Sequence, residues 1–315
     1  MKPENIITTD ELTDTGDTLP GGRHTIRIME HEGSLLAVKE MDTSEAITEM
    51  LAYDVLKALG INTPEAFLVQ TDDLTYWIAT SYEKKYHKVD IIQTSDLMTQ
   101  NTINKLPTQN YHIIIGIYKL LLNFQLKQSG LLYTQEEDNI LLRPIDPEIN
   151  TQQSYSQDSL KKTLFHLFED PRLESLPLQN YLMMYLDDLC ITQMTATKLK
   201  EIFETLAKLD EEKLQSIVDQ YSTHEALCKH VPDDFVTSLN QRLTKLQEIK
   251  DQHFPNCSDE EVDTFKSTIQ QQIEEENREK KERQRKQSAQ RMARIERTER
   301  DGRRPRRRRR RGPSL

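Results

Sequence analysis

The chain has 315 residues, of which 36% are hydrophobic and 30% charged, and its mean hydropathy is −0.72. That is too polar for one wholly packed chain, and no apolar run nears the roughly 20 residues a membrane-spanning helix needs. The net charge of −10 is uneven: Arg278 to Leu315 holds 18 basic and 5 acidic residues, a balance of +13, against −23 before it, which argues against broad nucleic-acid binding by the body and allows it at the end.

Residues 1–19 are polar and acidic, lack the apolar stretch of a secretory signal, and are expected to be disordered. His24 to Met29 alternates as a half-buried strand, Glu32-Gly33 forms a turn, and Leu35 to Lys39 returns as a second strand. This hairpin could lie over a nucleotide, but it lacks GxGxxG spacing and reads better as a plain hairpin. Ser44 to Leu59 is a helix stopped by Gly60, Asn62 and Pro64. Ile47, Leu51, Val55 and Leu59 form its packing stripe, and Glu49 lies off that stripe. Ala66 to Gln70 and Leu74 to Ser81 are paired strands, with Trp77 expected in the core.

Residues 84–108 are polar and irregular, with a short helix. Tyr111 to Leu126 is the most apolar helix, too short at 16 residues to span a bilayer and suited to a core. In the stretch 130–150, Asp138 and Asn139 precede the strand Ile140 to Leu142, and Pro144 and Pro147 flank Ile145-Asp146. Asn and Asp offer the hard oxygen ligands that Mg²⁺ takes beside phosphates, while the same residues also serve in turns. From 157 onward the pattern is helical: Leu160–Phe168, Leu176–Ile191, Thr195–Leu209, Glu211–Tyr221 and Asp233–Ile249. Ser258 and Glu261 make a capping box that opens a long charged helix without sustained heptads.

Cys190, Cys228 and Cys257 are too far apart for a zinc pattern or a disulfide framework and read as reduced thiols of a cytoplasmic protein. The run Arg306 to Arg311 cannot bury a core. It is expected to be disordered and to bind polyanions such as RNA, DNA, anionic lipid or inositol phosphates, to serve as a nuclear import signal, or to be a solubility tail with no specific partner. No aromatic residue follows Phe265, so base stacking and sequence specificity are not expected.

The segment Ala37-Val38-Lys39-Glu40, followed by ExLAYDVLKALGINTP from Glu49 to Pro64, resembles the small lobe of atypical kinase-like proteins. These include the HipA-like bacterial kinases and the kinase-like effectors of intracellular bacteria such as Legionella. The resemblance covers about residues 20–250 and implies an α+β, bilobal fold. A β-rich small lobe would occupy 20–85 and a helical lobe 86–255, followed by a charged helix at 256–300 and an Arg-rich tail at 301–315. It implies that Lys39 binds ATP phosphates, that Glu49 pairs with Lys39, and that Asn139 and Asp146 hold Mg²⁺ or Mn²⁺. The chain departs from the pattern in three places. Thr134 stands where the catalytic aspartate would lie, seven positions separate Asn139 from Asp146, and Asp-Pro-Glu replaces DFG. Asp138 could act as the base, as an Asp-Asn pair does in selenoprotein-O-like kinases, and Glu136, Glu137 or Glu148 could substitute. The resemblance thus implies a phosphotransferase acting on a protein or small molecule, secreted into a host cell by a route without a classical signal. The departures admit a pseudokinase-like interaction protein localised by its tail.

Overall fold

The computed structural model describes residues 5–19, 24–88, 111–122, 131–136, 139–147, 149, 151, 156–168 and 195–302. The expectations for Asp138, for 89–108, for Leu176–Ile191 and for the arginine run lie outside these residues. The fold is mixed α+β, with a sheet-rich N-terminal region and a mostly helical C-terminal part.

The N-terminal strands are β1 (Ile6–Thr8), β2 (Thr13–Leu19), β3 (Ile26–His31), β4 (Ser34–Lys39), β5 (Ala66–Gln70) and β6 (Tyr76–Ser81). They form one sheet in the order β1-β5-β6-β4-β3-β2, with β1 parallel to β5 and the other pairs antiparallel. The expectation of disorder at 1–19 is therefore corrected for 5–19. The backbone of this stretch pairs with β5 on one side of the sheet and with β3 on the other. Edge strands can be held by backbone bonds alone, and the side chains of β2 are almost all exposed.

The expected turn at Glu32-Gly33 joins β3 to β4, with both residues at positive φ, as a two-residue hairpin turn requires. Side chains alternate across the sheet. On one face Leu36, Val38, Val69, Ala79 and Ile7 form a buried cluster, and Trp77 and Phe67 pack against it. On the other face lie Ala37 and Lys39 of β4, opposite Thr80 and Ile78 of β6.

Helix α1 (Thr43–Ala58) packs against β5 and β6. Ile47, Leu51, Val55 and Leu59 are fully buried, as their spacing predicts. The helix ends in a Schellman arrangement: Gly60 has φ +79°, and the Ile61 amide donates to the Leu56 carbonyl at 2.9 Å.

A second, three-stranded sheet contains β7 (His87–Lys88), β8 (Leu131–Glu136) and β9 (Asn139–Pro144). Strand β8 was not expected. It pairs with β9 from Leu131↔Pro144 to Glu136↔Asn139.

The helical part holds α2 (Tyr111–Ile117), α3 (Gln157–Phe168), α4 (Ala196–Leu206), α5 (Glu211–Ser222), α6 (Glu225–Cys228) and α7 (Phe235–His253). The expected helix from Tyr111 changes at Tyr118 into a π-helical segment, Tyr118–Leu122. Arg242 of α7 is buried there and donates to the Leu121 carbonyl at 2.6 Å, so its guanidinium is not left without an acceptor.

Residues up to Phe265 form one compact unit and Lys266 onward a second. Helix α8 (Asp259–Gly302) opens with the expected capping box. The Ser258 amide donates to Glu261 Oε2 at 3.0 Å, and the Glu261 amide donates to Ser258 Oγ at 3.3 Å. Its residues 274–290 are all exposed, as a solvated charged helix requires. No helix among the described residues is long and apolar enough to cross a membrane.

Candidate active site

The site is built on the last residue of β4. Lys39 pairs with Ile26 of β3 and Ile78 of β6, which flank its backbone on both sides. Its ammonium donates to Glu49 Oε2 at 2.8 Å and to Asp146 Oδ1 at 3.4 Å. The structure therefore brings together Lys39 of a strand, Glu49 of the next helix and Asp146 of a loop distant in sequence. Asn139 opens β9 on the hairpin that leads to Asp146.

The two carboxylates differ in burial, with side-chain exposures of 4% for Glu49 and 45% for Asp146. Burial opposes the charge on Lys39, but the carboxylates of Glu49 and Asp146 outweigh it and raise its pKa above the ordinary lysine value. The cation is thus secured by its partners.

These groups open onto a cavity of about 250 Å³. Ile26, Ala37 and Ile78 supply an apolar wall from the sheet, and Leu132 and Ile145 supply one from the β8–β9 side. Tyr82, Glu83 and Tyr86, which follow β6, line it as well. Arg143 of β9 ties that stretch to the hairpin. Its Nη1 donates to Glu83 Oε1 at 2.6 Å, and its guanidinium lies 4.0 Å from the centre of the Tyr86 ring. The Arg143 bond holds the Glu83 carboxyl below the usual range.

Thr134 is buried at the centre of β8, opposite Leu141. That position offers a hydroxyl inside a sheet and no carboxylate.

Sequence reasoning missed two residues. Arg143 was legible as a lone charge in the apolar run Asn139–Pro144. Tyr53 lies four residues after Glu49 on α1, is 3% exposed, and its hydroxyl accepts from the Asp146 amide at 3.1 Å. A large polar-tipped side chain one turn from Glu49 was the available signal.

No protein-family model matches the chain, and no curated protein matches it. Among solved structures it is similar to the Helicobacter pylori proinflammatory kinase CtkA, at 13% identity and a TM-score of 0.42, over 76% of this chain and 98% of that one. It is also similar to WaaP in a complex with acyl carrier protein, at 13% identity and a TM-score of 0.38, over 66% of this chain and 90% of that one.

Proposed function

We propose that residues 20–255 are a kinase-like phosphotransferase domain that binds ATP with Mg²⁺ or Mn²⁺ in the Lys39 cavity. The observation that carries this reading is the convergence of Lys39, Glu49 and Asp146 on one apolar-walled cavity. In kinase-like sites a strand lysine neutralises phosphate charge and a helix glutamate fixes that lysine. Here Glu49 is buried and bonded, so it can aim the ammonium, and Asp146 is exposed enough to meet a ligand. The apolar walls suit the faces of a nucleobase, and the stretch after β6 would face its edge.

Asp146 presents a carboxylate on the cavity wall, which suits a hard divalent cation, and the sequence resemblance assigns Asn139 as a second oxygen ligand. Those two residues would hold the metal, which when bound offsets the charge on the transferring phosphoryl oxygens. Lys39 binds the phosphates and Glu49 keeps its charge in place. Asp138 is the proposed base, taking the proton of an acceptor hydroxyl on a protein or small molecule. Action inside a host cell after secretion belongs to this reading through the sequence resemblance alone. The experiment is a phosphate-transfer assay with Mn²⁺ over candidate acceptors. Transfer lost in Asp138→Asn and Asp146→Ala supports the reading, and transfer that survives both contradicts it.

A second reading is a nucleotide-binding interaction protein that transfers nothing. The buried Thr134 favours it, because no carboxylate stands at that position. ATP binding without transfer to any acceptor is its expected result. In both readings the arginine run binds phosphate-rich polyanions. Deleting residues 303–315 then removes binding to RNA or to vesicles rich in anionic lipid, along with its steep salt dependence.

A further inference from the structure

We propose that Tyr53 is a positioning residue that holds Asp146 in its working place and joins the Glu49 helix to the Asp146 loop. The inference rests on the nucleotide reading above and adds a residue to that site.

Asp146 has φ +49°, in the left-handed region that non-glycine residues adopt at a cost of about 1–2 kcal/mol. Pro147 follows it, and a residue before proline is biased toward extended backbone. Local preference therefore opposes the conformation observed. Two contacts hold it: the carboxylate accepts from Lys39 at 3.4 Å, and the backbone amide donates to the Tyr53 hydroxyl at 3.1 Å. The first contact uses the oxygens a metal would need. The second leaves those oxygens alone, so Tyr53 can hold the loop while Asp146 exchanges Lys39 for another partner.

Tyr53 is itself fixed. It is 3% exposed and stands one turn from Glu49 on α1. Burial, and then the charges of Glu49 and Asp146, push its pKa well above the usual value, so the phenol stays neutral. A displacement of α1 therefore moves both anchors of the site, Glu49 at Lys39 and Tyr53 at Asp146. Tyr118, from the π-helical segment, is a second buried phenol close to the same carboxylates, and its hydroxyl has no hydrogen-bond partner among the described residues. It supplies a matched control.

The test uses the full chain with Tyr53→Phe and Tyr118→Phe, each of which removes only a hydroxyl. Hydrogen exchange of the Asp146 amide is read without nucleotide, and ATP binding is then titrated across Mn²⁺ concentrations and with none. The expected result for Tyr53→Phe is exchange about tenfold faster at Asp146 and a Mn²⁺ requirement raised about five- to tenfold, the scale of one buried hydrogen bond. Metal-free ATP affinity should stay within about twofold, and Tyr118→Phe should match the wild type. An Asp146 amide equally protected in Tyr53→Phe overturns the proposal, as does an unshifted Mn²⁺ curve or the same change in Tyr118→Phe. An unprotected Asp146 amide in the wild type overturns it without any variant. Wild-type ATP binding that ignores Mn²⁺, with Asp146 still released in Tyr53→Phe, overturns the nucleotide reading instead and removes the role given to Tyr53 within it.

Discussion

Helix α1 and the loop after β9 each deliver a carboxylate to Lys39, from unlike surroundings. Glu49 sits on a helix whose stripe of Ile47, Leu51 and Val55 is fully buried, and it meets the ammonium at 2.8 Å with 4% of its side chain exposed. Asp146 meets the same ammonium at 3.4 Å from a left-handed residue between two prolines, with 45% of its side chain exposed. The helix carboxylate is held by packing of the whole element, whereas Asp146 is held through one carboxylate contact to Lys39 and one backbone contact to Tyr53. In the proposed site the first would aim the cation and the second would exchange partners.

Removing Lys39 should give the largest effect. Lys39→Ala leaves the buried Glu49 carboxylate without its cation, a change that costs about 3 kcal/mol or more, and ATP binding should fall below detection. Denaturant unfolding and a binding titration check both. Glu49→Gln keeps an acceptor beside Lys39 but removes the charge. Its expected cost is about 1–3 kcal/mol, with ATP affinity falling about tenfold.

A third effect should appear on α1 away from the cavity. Tyr221 of α5 donates to the Asp54 carboxylate, and burial raises the Asp54 pKa to about 6. The folded state then binds this proton more tightly than the unfolded chain. Its contribution to stability is fully present below about pH 4 and is lost as pH rises through about 6. Asp54→Asn should flatten the stability profile across that window, and an unchanged slope would remove Asp54 as its source.

The smallest expected stability change is for Asp146→Ala, within about 1 kcal/mol, because the carboxylate is half-exposed. A loss as large as that of Glu49→Gln would break the contrast between the two carboxylates.

The parts of this arrangement that were legible in the sequence are those set by side-chain periodicity. The β3–β4 hairpin, α1, β5 and β6 all follow apolar alternation or a four-residue stripe, and Glu49 stood out by lying off that stripe. Strand β2, TDTGDTL, has no such pattern, because backbone pairing with β3 holds it and its side chains face water. Strand β8 was hidden by its polar end, Tyr133 to Glu136, which becomes a strand only through pairing with β9. Two features of the site depend on tertiary contacts alone, the left-handed backbone at Asp146 and the bond from its amide to Tyr53. No local pattern encodes a contact between residues 93 positions apart.

The most direct test is calorimetric titration of ATP, with and without Mn²⁺, into the wild type and Asp146→Ala at matched stability. The account predicts that Mn²⁺ tightens binding at least tenfold in the wild type and has no effect in the variant. Equal affinities in all four titrations, or no heat in any, would contradict a nucleotide site at Lys39.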